Sequence, residues 1–224
     1  MQLAESARVP WVRLVLAVSL DGRLAPPHGG AAQLGRDGDR RVLEQALAWA
    51  DACLIGAGTL RAHECTCLIR DQMLVQHRLQ KGRPAQPAAV VVSHSSAFPK
   101  SWRFFQQPME RWLLSPSAPD QSFDRWFPLG KTWADRLLAL ADAGAKQLVL
   151  LGGGGLVTDL LREDAVDELQ LTLVPAVLGG DHSWVLSMAG ELPMELAQPG
   201  SWLLTNAESL GGVELLVRYR RQRE

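Results

Sequence analysis

The chain is predicted to be an α/β protein: a three-layer domain on a central mixed, mostly parallel sheet, with an antiparallel hairpin at its carboxyl end. Three observations carry this. Short apolar runs alternate with stretches of helical periodicity along most of the 224 residues. Two of those runs end in glycine turns that lead into helices: Ala52-Cys53-Leu54-Ile55 into Gly56-Ala57-Gly58-Thr59, and Leu148-Val149-Leu150-Leu151 into Gly152-Gly153-Gly154-Gly155. The last two strand-like runs face each other across Gly211-Gly212, a hairpin signal. Strands joined through helices run parallel, and a hairpin closes antiparallel.

The elements follow in order. Residues 11–19 form an apolar strand, and 37–50 a helix whose stripe is Val42, Leu43, Ala46, Leu47 and Ala50. Asp37 or Asp39 is expected to cap it, because a side-chain oxygen there can accept the free N–H groups of the first turn. Strand 52–56 comes next, then a short helix from Thr59 and a weaker one at 73–80. Residues 88–93 read as a buried strand and 112–114 as a short one. Helix 132–144 ends at glycine, followed by strand 147–151, helix 155–163 and a long strand or strand pair over 166–177. Residues 202–208 and 213–220 make the hairpin at the sheet edge. The segment 95–131 is rich in Pro, Ser and aromatics, which are expected to pack beneath long surface loops or at a subunit interface.

A single domain spanning 1–224 is expected, with a core of ordinary size. A net charge of −1 gives no reason to expect nucleic acid or an anionic membrane as partner. The first ten residues lack a signal peptide's basic flank and apolar stretch, and no apolar run nears the ~18 residues of a membrane span. Three cysteines cannot pair completely, and Cys65-Thr66-Cys67 has no second Cys/His pair to complete a zinc site. The cysteines are read as buried small hydrophobes in a cytoplasmic protein, and no metal is expected.

Chemistry is concentrated at the two glycine turns. A strand that ends in bare backbone and re-enters as a helix offers N–H donors to an anion such as a diphosphate. Two such junctions point to a dinucleotide held between them. The Rossmann pattern G-x-G-x-x-G is not met: from Gly56 its third position is Arg61, and from Gly152 or Gly153 it is Val157 or Thr158. Nor does the chain carry a Walker P-loop, which disfavours ATP chemistry.

Six segments in order now bear on a family. They are Ala17-Val18-Ser19-Leu20-Asp21-Gly22-Arg23-Leu24-Ala25, Asp51 through Leu60, Leu68-Ile69-Arg70, Gly152-Gly153, Val166-Asp167-Glu168-Leu169, and Pro175-Ala176-Val177-Leu178-Gly179-Gly180. Together they resemble the reductase domain of the riboflavin-biosynthesis deaminase/reductase family, over residues 9 to 220. The resemblance implies a dihydrofolate-reductase-like fold, a homodimer, and hydride transfer from NADPH to the C1 imine of a ribosylaminopyrimidine phosphate. It also implies that Gly56, Gly58, Thr59 and Gly152 to Gly155 grip the cofactor's diphosphate. The strand end at Ser93, with His94, Ser95 and Ser96, falls where this fold meets the 2′-phosphate, so NADP is expected over NAD. Ser19, Asp21 and Arg70 are expected on the substrate side, with Arg70 as phosphate ligand. No zinc-deaminase signature is present, so a stand-alone reductase is expected.

Three substrate-side positions depart from the family. Leu47 stands where it has an arginine for the substrate phosphate, His63 where it has a ribose-facing aspartate, and Leu151 where it has a glutamate. Losing three charged ligands favours a changed substrate. His63 is a candidate proton donor, although a lone histidine is more often structural; Asp21 is the other candidate catalytic residue. Two alternatives stay open: NADPH reduction of another heterocycle, such as a pterin or dihydrofolate-like compound, and a non-catalytic nucleotide-binding homodimer.

Overall fold

A computed structural model describes residues 9–30, 34–186 and 191–223, so the reading of the extreme amino terminus lies outside the described residues. The order is β1 (Trp11–Ser19), α1 (Asp37–Trp49), β2 (Ala52–Gly56), α2 (Ala57–His63), α3 (Gln72–Gln80), β3 (Ala88–Val92), β4 (Arg111–Ser115), β5 (Arg125–Pro128), α4 (Trp133–Asp142), β6 (Gln147–Leu150), α5 (Gly154–Arg162), β7 (Glu168–Val174), β8 (Trp202–Ser209) and β9 (Leu215–Arg221). The strands form one nine-stranded sheet, β5-β4-β3-β2-β6-β1-β7-β9-β8. Every pairing is parallel except β7 with β9 and β9 with β8.

Side-chain alternation divides the core into two layers. Leu14 and Leu16 of β1, Leu54 of β2 and Leu150 of β6 point to one face, where Leu137 of α4 and Leu160 of α5 cover them. Val15, Cys53, Ile55, Val91 and Val149 point to the other, beneath Leu47 of α1 and Leu60 of α2. Strands covered on both sides need apolar residues at nearly every position, which is why they read as unbroken apolar runs. On this second face Phe98, Trp102, Phe104, Phe105 and Phe123 form one aromatic cluster, with ring centroids 5.2–6.2 Å apart. It packs against the core beneath the loops, one of the two uses expected for the aromatics.

Two local readings change and two are sharpened. Neither Asp37 nor Asp39 caps α1; its free amides are taken by Glu214 from the β8–β9 turn, which accepts from Arg36 N–H at 2.6 Å and Asp39 N–H at 3.2 Å. The run 166–177 is one strand that stops before Pro175. β5 lies within the segment read as loop. In the hairpin, β9 is interior and β8 is the outer edge.

Two acidic residues within the family-like segments do structural work. Asp51 accepts Lys146 and Gln147 N–H at 2.9 Å, fixing the start of β6. Asp167 accepts Val12 N–H at 2.8 Å, fixing the start of β1.

Candidate active site

β2 and β6 are neighbours whose onward connections diverge. After β2 the chain crosses one face through α2 and α3 to β3; after β6 it crosses the other through α5 to β7. Such a switch point leaves a crevice at the carboxyl ends of the strands, where neither connection covers them. Both glycine turns stand at it. Gly56 N–H donates to the Gly152 carbonyl at 3.0 Å, and a Cβ on Gly153 would lie 2.9 Å from Thr59 Oγ1. The N-termini of α2 and α5 therefore open side by side. Gly58 has nothing within 4 Å of where its Cβ would be.

The crevice continues as a cleft of about 1500 Å³. Gly56, Gly58, Thr59 and Gly152 to Gly155 line its middle. Ser93 and Ser95 line it beyond the end of β3, with the Ser93 hydroxyl accepting Ser95 N–H at 3.0 Å. Fit to a dinucleotide rests on this geometry: amides of two helix first turns, a hydroxyl, and room that a side chain at Gly58 would fill.

The other end of the cleft is bounded by α1 and by the extended segment 65–70. Buried side chains pin that segment in place. The Gln107 amide exchanges hydrogen bonds with the Thr66 backbone at 2.9 and 2.7 Å, and Gln86 does the same for Ile69 at 2.8 Å in both directions. Glu44 of α1 accepts Arg70 and Asp71 N–H at 2.8 Å. Arg70, His63 and Leu151 all line the cleft. Cys65 is half-buried and Cys67 exposed, both at the cleft, so only Cys53 is the buried thiol expected of all three.

Ser19 and Asp21 are not brought to the cleft lining. The Ser19 hydroxyl donates to Asp21 at 2.5 Å, and the same carboxylate accepts Leu178 N–H at 3.1 Å and Gly179 N–H at 2.7 Å. These donors, the Ser19 hydroxyl foremost, hold the Asp21 carboxyl down at about 2, so it is an anion clamping two loops at neutral pH. Leu47 also misses the cleft. It is fully buried beneath the sheet, while Arg40, Leu43 and Glu44 of the same helix reach the cavity. An arginine at position 47 would bury its guanidinium in the core.

One cleft residue had been read only as a helix cap. Asp39, in the first turn of α1, lines the cavity. Burial, first, and the neighbouring Glu214 raise its carboxyl above the ordinary value, against a hydrogen bond from the Thr172 hydroxyl. Its signal lay in no local motif, since Thr172 comes from β7 and Glu214 from the β8–β9 turn, both remote in sequence.

Comparison with known proteins agrees with this architecture. Residues 10–206 match the family described as the RibD C-terminal domain. The chain is 28% identical over 220 residues to the 2,5-diamino-6-ribosylamino-4(3H)-pyrimidinone 5′-phosphate reductase of Methanothermobacter thermautotrophicus, covering 94% of this chain and 97% of that protein. Its fold is shared with a pyrimidine reductase-like protein from Corynebacterium diphtheriae, at a TM-score of 0.77 and 19% identity over 96% of this chain and 93% of that one. It is shared too with Enterococcus faecalis dihydrofolate reductase, at a TM-score of 0.57 and 13% identity over 95% and 97% of the two chains. The chain therefore belongs to the RibD C-terminal domain family, on a dihydrofolate-reductase-like fold.

Proposed function

We propose that the protein is an NADPH-dependent reductase of a ribosylaminopyrimidine phosphate, in the riboflavin-forming direction that its relatives' names describe. The observation that carries the reading is the contact between the two glycine turns, which supplies one diphosphate cradle at the sheet's switch point. The amides of Ala57, Gly58, Gly154 and Gly155, with the Thr59 hydroxyl, are the groups that would hold the diphosphate. Ser93 and Ser95 would face the 2′-phosphate, and Arg70 the substrate's own phosphate. A cytoplasmic setting belongs to the same reading; among the described residues no helix is long and apolar enough to cross a membrane. Growth rescue of a riboflavin auxotroph lacking its reductase tests the whole; soluble protein without rescue contradicts it.

When bound, NADPH supplies the hydride that converts the C1 imine into a ribitylamine. Val15, Leu43, Ile55, Leu68 and Leu151 give the substrate end apolar walls that exclude water. The imine nitrogen needs a proton as its carbon is reduced, and Asp39, which lines the cleft, is the residue that would hold it. Because burial raises its carboxyl above the ordinary value, the protonated fraction, and with it kcat/KM, should fall as pH rises through that raised value. Asp39→Asn should lower kcat at least about tenfold and remove this limb of the pH profile, with NADPH affinity unchanged. An unaltered rate and profile would rule Asp39 out.

The apolar walls, with Leu151 among them, favour a second reading: reduction of another flat heterocycle such as a pterin. A homodimer is part of either. β8 leaves Leu203 and Leu204 about half exposed on an unpaired edge, which a two-fold partner can cover. Light scattering at micromolar concentration should give the dimer mass; a monomer would refute it.

A further inference from the structure

We propose that Arg61 reads the 2′-phosphate of the nucleotide and so sets the preference for NADPH over NADH. This rests on the cofactor reading above. Arg61 lies on α2 three residues beyond Gly58, so the two share the helix face that lines the cleft. Its guanidinium sits over the ring of Phe98, 5.9 Å from the centroid. It has no ion-pair partner and makes no hydrogen bond among the described residues. Phe98 is itself fixed by edge and tilted contacts to Phe123 and Trp102. A guanidinium held over a fixed ring is oriented without being neutralised, which suits recognition of a phosphate.

The coil that carries Phe98 completes the site. Ser93 to Phe98 is a short coil that follows β3, and α2 packs against that strand. Ser93 Oγ accepts Ser95 N–H and Ser95 Oγ accepts Ala97 N–H at 3.3 Å, so each hydroxyl keeps its proton for an outside acceptor. His94, between them, also faces the cleft. Arg136 is another cation lining the cleft, but its Nε and Nη2 are both committed to the Gly130 carbonyl, at 3.1 and 2.9 Å. Arg36, Arg40, Arg70 and Arg103 line the cleft without such a commitment, as Arg61 does, but among the described residues only Arg61 of these five is held over an aromatic ring. An oriented arginine with no charged partner among the described residues, in one cleft with two donor hydroxyls, suits a dianion.

The test is calorimetric binding of 2′,5′-ADP against 5′-AMP, and of NADPH against NADH, to wild type, Arg61→Ala and Arg61→Lys. Wild type should favour the 2′-phosphorylated member of each pair by about tenfold or more. Arg61→Ala should remove most of that ratio while 5′-AMP and NADH bind as to wild type, which also certifies the fold. Arg61→Lys should retain part of it, a point charge without the fork. An unchanged ratio in Arg61→Ala, or a wild type indifferent to the 2′-phosphate, overturns the proposal while leaving the cradle intact. If no nicotinamide nucleotide binds wild type at all, the cofactor reading has failed, and this assignment with it.

Discussion

Gly58→Asp is expected to weaken NADPH binding by two orders of magnitude or more while the melting temperature stays near that of wild type. The fold has room for the change: nothing lies within 4 Å of the added Cβ, and Gly58 is not among the residues with positive φ. A carboxylate in the first turn of α2 is favourable to the helix itself. In the complex, however, it would stand where the diphosphate is held. Two like charges ~4 Å apart cost about 4 kcal/mol at the effective dielectric near a protein surface, and each ~1.4 kcal/mol is tenfold in affinity. Gly153→Asp acts on the same cradle but is a poorer test, because its Cβ would press on the Thr59 hydroxyl and disturb the turn. Fluorescence titration with NADPH measures the effect. Parental affinity in Gly58→Asp would remove the cradle from this place.

Arg78→Met should cost about 4 kcal/mol of folding stability, seen as a lower midpoint in urea. Arg78 of α3 is only 1% exposed, yet among the described residues no carboxylate pairs with it. Its Nη1 donates to the carbonyls of Leu47, Ala48 and Ala50, and its Nε to Pro84 at 2.8 Å. The last turn of α1 has no basic residue of its own, so this guanidinium answers the carbonyl end of the helix. Methionine keeps most of the stem packing and takes the donor from the Ala48, Ala50 and Pro84 carbonyls, each worth ~1–3 kcal/mol, while Leu47 keeps the Ala50 N–H at 3.2 Å. A loss below about 1 kcal/mol would show that water reaches them.

The central strands and the helices between them were legible because burial on both faces writes itself into the sequence. The runs at 52–56, 88–93 and 147–151 match β2, β3 and β6 to within a residue, with Ser93 and Leu151 falling just beyond. β5 was not legible. It is four residues, Arg-Trp-Phe-Pro, mostly exposed on a sheet edge, so neither alternation nor an apolar run marks it. The cap of α1 was misassigned because two aspartates in its first turn looked sufficient, whereas Glu214 arrives from the far end of the chain. The site divides along the same line. The glycine turns and the Ser93–Ser95 turn, which line the cleft, are contiguous in sequence and could be picked out there. Asp39 and the clamps Gln86 and Gln107 depend on tertiary neighbours that no local pattern encodes. Leu47 shows the converse error: a helix position matched by alignment pointed into the core, one turn away from residues that reach the cleft.

The most direct test of the reductase reading is the stoichiometry of NADPH consumption by the purified protein, given the phosphoribosylaminopyrimidine with either the 2-amino or the 2-oxo ring. One of the two should be turned over, with one NADPH oxidised per ribitylamine formed. NADPH that binds but is not consumed with either compound would contradict it.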